Sequence, residues 1–130
     1  FPEIVLKLNE IFERHEKIAA GTRAAVSAWG LSLCAKEPKW YSNTVSAILV
    51  PEDVNSNKII NQAFYKYNTS FGLGLSKVAG KVFRIGHLGS VNEGMICSAL
   101  SVAEMSMIDC GMKIVPGSGV GAAINFFTKK

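Results

Sequence analysis

Residues 72–93 read GLGLSKVAGKVFRIGHLGSVNE, and the run Val82-Phe83-Arg84-Ile85-Gly86 at its centre decides how the rest of the chain is placed. Alternate side chains of a strand point to opposite faces. A strand over residues 80–88 therefore puts Phe83 and Ile85 on one face, and Val82, Arg84 and Gly86 on the other. A glycine inside a strand leaves room for a ligand or a second backbone. A planar guanidinium beside such an opening can take both oxygens of a carboxylate at once. Arg84 is thus the candidate anion-binding residue, against the alternative of an arginine held in a surface ion pair.

Downstream, Ser90-Val91-Asn92-Glu93 fits a capping box with Ser90 as the cap. It predicts a long apolar helix to about Cys110, closed by Gly111. Gly94 in the first turn of that helix costs about 1 kcal/mol relative to alanine. Ile114-Val115 reads as a last short strand, and residues 119–127 as a terminal helix with apolar Val120, Ala123, Ile124 and Phe127. Upstream, residues 71–75 form a glycine-weakened strand. Before it, a helix capped by Asp53 or Asn55 runs to about Tyr67, with Ile59, Ile60, Ala63, Phe64 and Tyr67 inward. Residues 44–50 make a strand stopped by Pro51, residues 37–43 a loop, and residues 31–34 a short strand.

The chain begins with the strongest periodicity it has. Ile4, Ile11, Ile18 and Ala25 recur every seven residues, flanked by Val5, Phe12, Ala19 and Val26, with Leu8 and Trp29 on the same stripe. This predicts an amphipathic helix from Glu3 to Trp29, ended by Gly30. At 1.5 Å per residue it is roughly 40 Å long. That length suggests a helix that leans on, or leads in from, something else. His15 falls on the edge of the apolar face, where a packed imidazole is expected rather than a ligand.

The 130 residues suffice for one domain, and 48% hydrophobic against 18% charged residues predicts a real core. A net charge of +4 is too small to imply a nucleic-acid partner. Between Asp53 and Glu93, however, Lys58, Lys66, Lys77, Lys81 and Arg84 meet no carboxylate, so the middle of the chain favours anions. Cys34, Cys97 and Cys110 are odd in number and unpaired in spacing, which fits small buried hydrophobes and a reducing, cytoplasmic compartment. No apolar run reaches the length of a membrane span and no signal peptide is visible, so no membrane partner is expected.

Helices and hairpin-like strand pairs in this order predict an α+β, two-layer sandwich with a largely antiparallel sheet. Residues 44–115 alone read βαββαβ, the order of ferredoxin-like modules that bind RNA or sense amino acids. An autonomous binding module is therefore the alternative reading. Against it, the strand at residues 81–88 carries only Phe83 where base stacking needs paired aromatics. Gly72-Leu73-Gly74 lacks the third glycine of a dinucleotide fingerprint, and Gly80-Lys81 is followed by Val82 rather than Ser or Thr. No metal-ligand motif occurs, and Glu104 and Asp109 share a helix with no partner for acid–base chemistry.

The segments Gly72-Leu73-Gly74, Val78 through Gly89, and Asn92-Glu93 resemble the C-terminal small domain of class V pyridoxal-phosphate aminotransferases, in the alanine–glyoxylate and serine–glyoxylate branch. The likeness extends to Trp29-Gly30-Leu31, Trp40-Tyr41-Ser42 and Gly117-Ser118-Gly119-Val120. In that family the arginine of this strand binds the substrate's α-carboxylate, which by resemblance falls on Arg84. The family often has an acidic residue where Ser90 stands and a bulky one where Gly94 stands. Its cofactor-bonding lysine, and the groups that hold the cofactor's phosphate and ring nitrogen, lie in a large N-terminal domain; no lysine here sits in such a motif. The resemblance implies that residues 1–130 are a single C-terminal small domain, with 1–29 the lead-in helix and 31–130 the sandwich. The large cofactor-binding domain is absent, and the opening Phe1-Pro2, with no initiator methionine, fits a fragment. The expected parent is a homodimer that moves an amino group from serine or alanine to glyoxylate. The fragment alone is expected to hold no catalytic residue, bind no pyridoxal phosphate and be inactive.

Overall fold

In a computed structural model, residues 2–35, 42–87 and 89–129 are described. The seven-residue apolar repeat forms a single helix, α1 (Pro2–Ala28). Its C-terminal half is packed: Ile18, Ala19, Ala25 and Val26 are buried, whereas Ile4, Val5, Leu8 and Phe12 on the N-terminal half are exposed. Gly30 ends the helix with φ of 74°, a left-handed conformation that glycine adopts without a Cβ penalty. The Leu31 N–H donates to the Val26 carbonyl and the Gly30 N–H to that of Ser27, a Schellman closure that reverses the chain into the sheet.

Four strands follow among the described residues: β1 (Ser32–Leu33), β2 (Val45–Leu49), β3 (Gly72–Leu73) and β4 (Val82–Gly86). Their order is β1-β2-β4-β3, antiparallel throughout. In register, Ser46 faces Ile85 and Ile48 faces Phe83 on the core side, while Ala47 and Gly72 flank Arg84 on the other. The predicted alternation of β4 holds, with Phe83 and Ile85 buried and Arg84 and Gly86 not. Val82, on the Arg84 face, is also buried, because the 3₁₀ turn Ser76–Val78 in the β3–β4 connection folds back near it.

The expected strand at Ile114-Val115 does not form. The Ile114 N–H turns back to the Met112 carbonyl, Pro116 follows, and Gly117 reverses the chain at φ of 84°. The place beside β2 that a ferredoxin-like last strand would fill is taken instead by β1. The βαββαβ order behind the binding-module reading is therefore incomplete.

Three shorter helices complete the layer: α2 (Ser56–Tyr67), α3 (Glu93–Asp109) and α4 (Ser118–Thr128). Asn55 caps α2, its Oδ1 accepting from the Asn57 N–H at 3.0 Å. Ile59, Ile60 and Ala63 are buried as expected, but Phe64 is 53% exposed. It lies one residue past the Ile59–Ala63 row and stacks edge-on with Tyr65. The cap of α3 is also corrected. Asn92, not Ser90, is the N-cap, its Oδ1 accepting from the Met95 N–H at 2.8 Å. Asn and Ser cap equally well. The chain just before is already turned at Gly89, whose two backbone groups are both bound to α1, so the helix starts two residues later than the box predicts. Cys34 is exposed rather than buried; Cys97 and Cys110 are partly buried, and burial pushes both thiols up.

Two carboxylates that the sequence left unpaired tie the helices together. Asp109 at the end of α3 accepts from Tyr67 Oη at 2.6 Å and from Gln62 Nε2 and Lys66 Nζ at 3.0 Å, all on α2. These bonds lower its pKa to about 2, Tyr67 contributing most. Lys66, read as one of five unopposed cations, is thus paired across space. Glu104 is 5% exposed. Its Oε1 accepts from Trp29 Nε1 at 2.9 Å and from the amides of Gly119 and Val120 at 2.7 and 3.0 Å. Its Oε2 accepts from the Gly117 amide at 2.7 Å. Burial alone pushes this carboxyl up, but the bonds from Trp29, Val120, Gly117 and Gly119 outweigh it and hold the group below its ordinary value. Glu104 thereby serves as the cap that α4 lacks on its own side chains.

Glu104→Gln keeps the shape but turns an amide N–H₂ toward donors. We expect it to lower unfolding free energy by about 2–4 kcal/mol, measured by urea titration. A loss below about 0.5 kcal/mol would show that the carboxylate's charge is not what holds this junction.

Candidate functional site

Arg84 sits mid-strand in β4, the second-to-last strand of the sheet order, between Ala47 on one side and Gly72 on the other. Both neighbours are small, so the guanidinium is not walled in by cross-strand side chains. A Cβ built on Gly72 would lie 3.1 Å from both the Cβ and the Nε of Arg84, which places the arginine side chain directly over that glycine. Two residues along β4, a Cβ on Gly86 would meet nothing within 4 Å. The opening expected beside Gly86 is present. Among the described residues Arg84 has no hydrogen-bond or ion-pair partner, and its Nε is buried without an acceptor. The surface-ion-pair alternative therefore finds no carboxylate among the described residues. A buried donor without a partner is costly, and a bidentate anion is the kind of ligand a guanidinium fork satisfies best.

The end of β4 is fixed by two histidines. His87 is 1% exposed. Its Nδ1 lies 3.0 Å from the Asn43 carbonyl, which can only accept, so Nδ1 carries the proton. Nε2, 3.0 Å from Ser46 Oγ, then accepts from that hydroxyl. Burial lowers the His87 pKa, opposed by the Asn43 carbonyl and reinforced by the charge of Arg23. The His87 N–H also donates to the Thr44 carbonyl at 2.8 Å, extending the ladder past the strand's end. On α1, Arg14 Nη2 donates to the Gly89 carbonyl and His15 Nε2 accepts from the Gly89 N–H, each at 3.0 Å. His15 Nδ1 donates to the Ile11 carbonyl at 2.8 Å. The imidazole read as a packed edge residue is a structural acceptor. No spacing between positions 15 and 89 could have shown this.

A cleft of about 600 Å³ between α1 and β1, lined by Arg23, Ser27, Ser32 and Cys34 among others, does not include Arg84. Among the described residues no group of three or more His, Cys, Asp or Glu is placed to hold a metal ion, and no helix is long and apolar enough to cross a membrane. The strand residues on the Arg84 face are Ser32, Val45, Ala47, Leu49, Gly72, Val82 and Gly86, with neither a lysine amine nor a carboxylate. Glu104 and Asp109 are already committed to four and three donors. That donor set does not fit pyridoxal phosphate, which needs a lysine and an acidic partner for its ring nitrogen. Trp40, Tyr41 and Leu88 of the resemblance, and most of the loop expected over residues 37–43, lie outside the described residues.

This sequence and this topology recur together. The chain is 64% identical over 122 residues to a serine–glyoxylate aminotransferase of Hyphomicrobium methylovorum, a match covering 94% of this chain and 30% of that protein. It is 55% identical over 116 residues to an L-aspartate–glyoxylate aminotransferase of Paracoccus denitrificans, covering 89% of this chain and 29% of that protein. The crystal structure of pyridoxamine-pyruvate aminotransferase from Mesorhizobium loti matches with a TM-score of 0.85 and 31% identity, over 94% of this chain and 32% of that one. The chain is similar to the small domain of such aminotransferases. It spans about 30% of the length of the curated relatives it matches, and it matches no protein-family model. The largely antiparallel sheet packed by helices stands as the resemblance implied.

The lowered pKa of His87 sets a sign for its effect on stability. Below the ordinary imidazole value of 6.5 the unfolded chain takes up a proton that the folded chain resists. Stability is fully present above that value and falls as pH drops through the folded pKa. We expect unfolding free energy at about pH 5 to lie below that at pH 7, and the difference to shrink in His87→Leu. Long-range ¹⁵N spectra at pH 7 should show a neutral ring protonated on Nδ1; a doubly protonated ring would contradict the assignment.

Proposed function

We propose that this chain forms one domain that supplies the substrate-carboxylate clamp of a full-length aminotransferase moving an amino group from serine or alanine to glyoxylate, with Arg84 as the clamp. The observation that carries this is the Arg84 guanidinium, with no partner among the described residues, on a sheet face opened by Gly72, Ala47 and Gly86. The close match to glyoxylate aminotransferases supports the activity of the parent.

The chemistry of the clamp follows from charge and geometry. An amino donor and a 2-oxo acceptor share one group, the α-carboxylate, so a single arginine serves both half-reactions. Its fork fixes the carboxylate plane and thereby the direction in which the α-carbon and its nitrogen point. Serine, alanine and aspartate are alike at this end, so the clamp does not choose among donors; that choice falls to groups facing the side chain. Pyridoxal phosphate, when bound to the parent, supplies the electron-withdrawing ring on which amino groups are exchanged. The residues that hold it belong to the rest of the parent chain. Arg84 would hold the carboxylate, and the low polarity of Val45, Ala47 and Leu49 beside it strengthens the ion pair. A homodimeric, cytoplasmic parent completes this reading.

In the full-length enzyme, Arg84→Ala should raise the KM for amino donor and glyoxylate together, by about a hundredfold, since two charge-assisted hydrogen bonds are lost. Arg84→Lys should restore only a minor part, because a point charge lacks the fork. Unchanged KM values in both variants would remove Arg84 from the site. The isolated chain, titrated with pyridoxal phosphate, is expected to leave the cofactor's absorbance band unshifted and to show no transamination; a shifted band would mean that this domain carries its own cofactor lysine.

A further inference from the structure

We infer that Gly72, rather than the glycine within the arginine strand itself, sets the pose of the Arg84 guanidinium and is a positioning residue for the substrate carboxylate. This rests on the clamp reading above and adds to it the element that aims the clamp.

A glycine in a strand needs a reason, because it weakens the strand. Gly72 has none in its backbone: it pairs in register with Arg84, and its φ lies outside the left-handed range that other residues avoid. Its reason is spatial. The three atoms nearest to a Cβ built there all belong to Arg84: Cβ and Nε at 3.1 Å and Nη2 at 3.4 Å. Gly74 differs, since a Cβ on it would run into the Val78 carbonyl, so its missing side chain serves the fold of the β3–β4 connection. Gly86 differs again, with nothing within 4 Å.

The arginine is thus laid across the vacant side of Gly72, with Nε over it and Nη2 beyond. Contacts of 3.1 Å at both Cβ and Nε are tighter than ordinary packing, so a methyl group would force the arginine to give by a few tenths of an ångström. The strand holds the Cβ end, and the give falls on the torsions between Cβ and Nε. Rotation there swings the terminal nitrogens further than the clash itself requires. A bidentate fork tolerates little such motion. The Nε agrees with this: it lies over a glycine, buried and without a hydrogen-bond partner among the described residues.

The test is a cycle in the full-length enzyme comprising Gly72→Ala, Arg84→Gly and the double variant. Arg84→Gly removes the three atoms nearest to a Gly72 methyl. Gly72→Ala is expected to raise the KM for amino donor and 2-oxo acid about tenfold, with kcat within about twofold. In the Arg84→Gly background the same substitution should change neither KM. Any drop in the thermal midpoint of Gly72→Ala should vanish in that background too. This keeps the test open if the single variant folds poorly. A wild-type KM in Gly72→Ala, or an equal effect of Gly72→Ala with and without Arg84, overturns the inference and leaves the clamp standing. A wild-type KM in Arg84→Gly overturns the clamp reading itself.

Discussion

One buried carboxylate carries the architecture. Glu104 stands in the middle of α3 and takes four hydrogen bonds: one from the indole that ends α1 and three from the amides that begin α4. A carboxylate in such a place is costly unless every lone pair is engaged. Here the engagement is nearly complete, and the positive end of α4 lies against it. The result is a three-helix junction whose geometry is directional, not merely apolar. Gly119 fits it closely: a Cβ there would collide with the Trp29 ring, so the first turn of α4 can approach only because that position is bare. A second bare position, Gly21 on α1, receives the Phe127 ring at the far end of α4.

The junction bears on the site through α1. The same helix that ends at Trp29 reaches back to the Arg84 strand, where Arg14 and His15 hold both backbone groups of Gly89. His87 adds bonds to Ser46 and Asn43. The strand that displays Arg84 is therefore pinned at its exit from helix and sheet alike, while the guanidinium itself has no partner among the described residues. Rigid backbone with a free functional group is the arrangement that pre-organised binding calls for.

Much of this was legible in the chain. The heptad of α1, the alternation in β4 and the Pro and Gly stops gave the elements because each is a local rule acting on neighbours. Arg84 stood out because β4 is otherwise apolar and glycine-spaced. What failed was what depends on distance. The strand at Ile114-Val115 had good local composition, but the edge it needed was occupied by β1. Ser90 had the right box, but Gly89 was already fastened to α1. Glu104 carried a signal that could have been followed, a lone charge in the apolar run Ser98-Ala99-Leu100-Ser101-Val102-Ala103-Glu104-Met105, yet only the fold names its partners. Gly72 looked like one more weak strand residue until its register opposite Arg84 was known.

The uneven burial of α1 has a thermodynamic edge to it. Its last turns are held by the junction, whereas Ile4, Leu8 and Phe12 on its first turns face water. A dozen helical residues without tertiary support are marginal in water, because nucleation and backbone ordering consume what hydrogen bonding returns. Those first turns are thus a conditional structure: they persist to the extent that something apolar lies along them, and bared to solvent they unwind toward the segment near Arg14 where side-chain bonds begin.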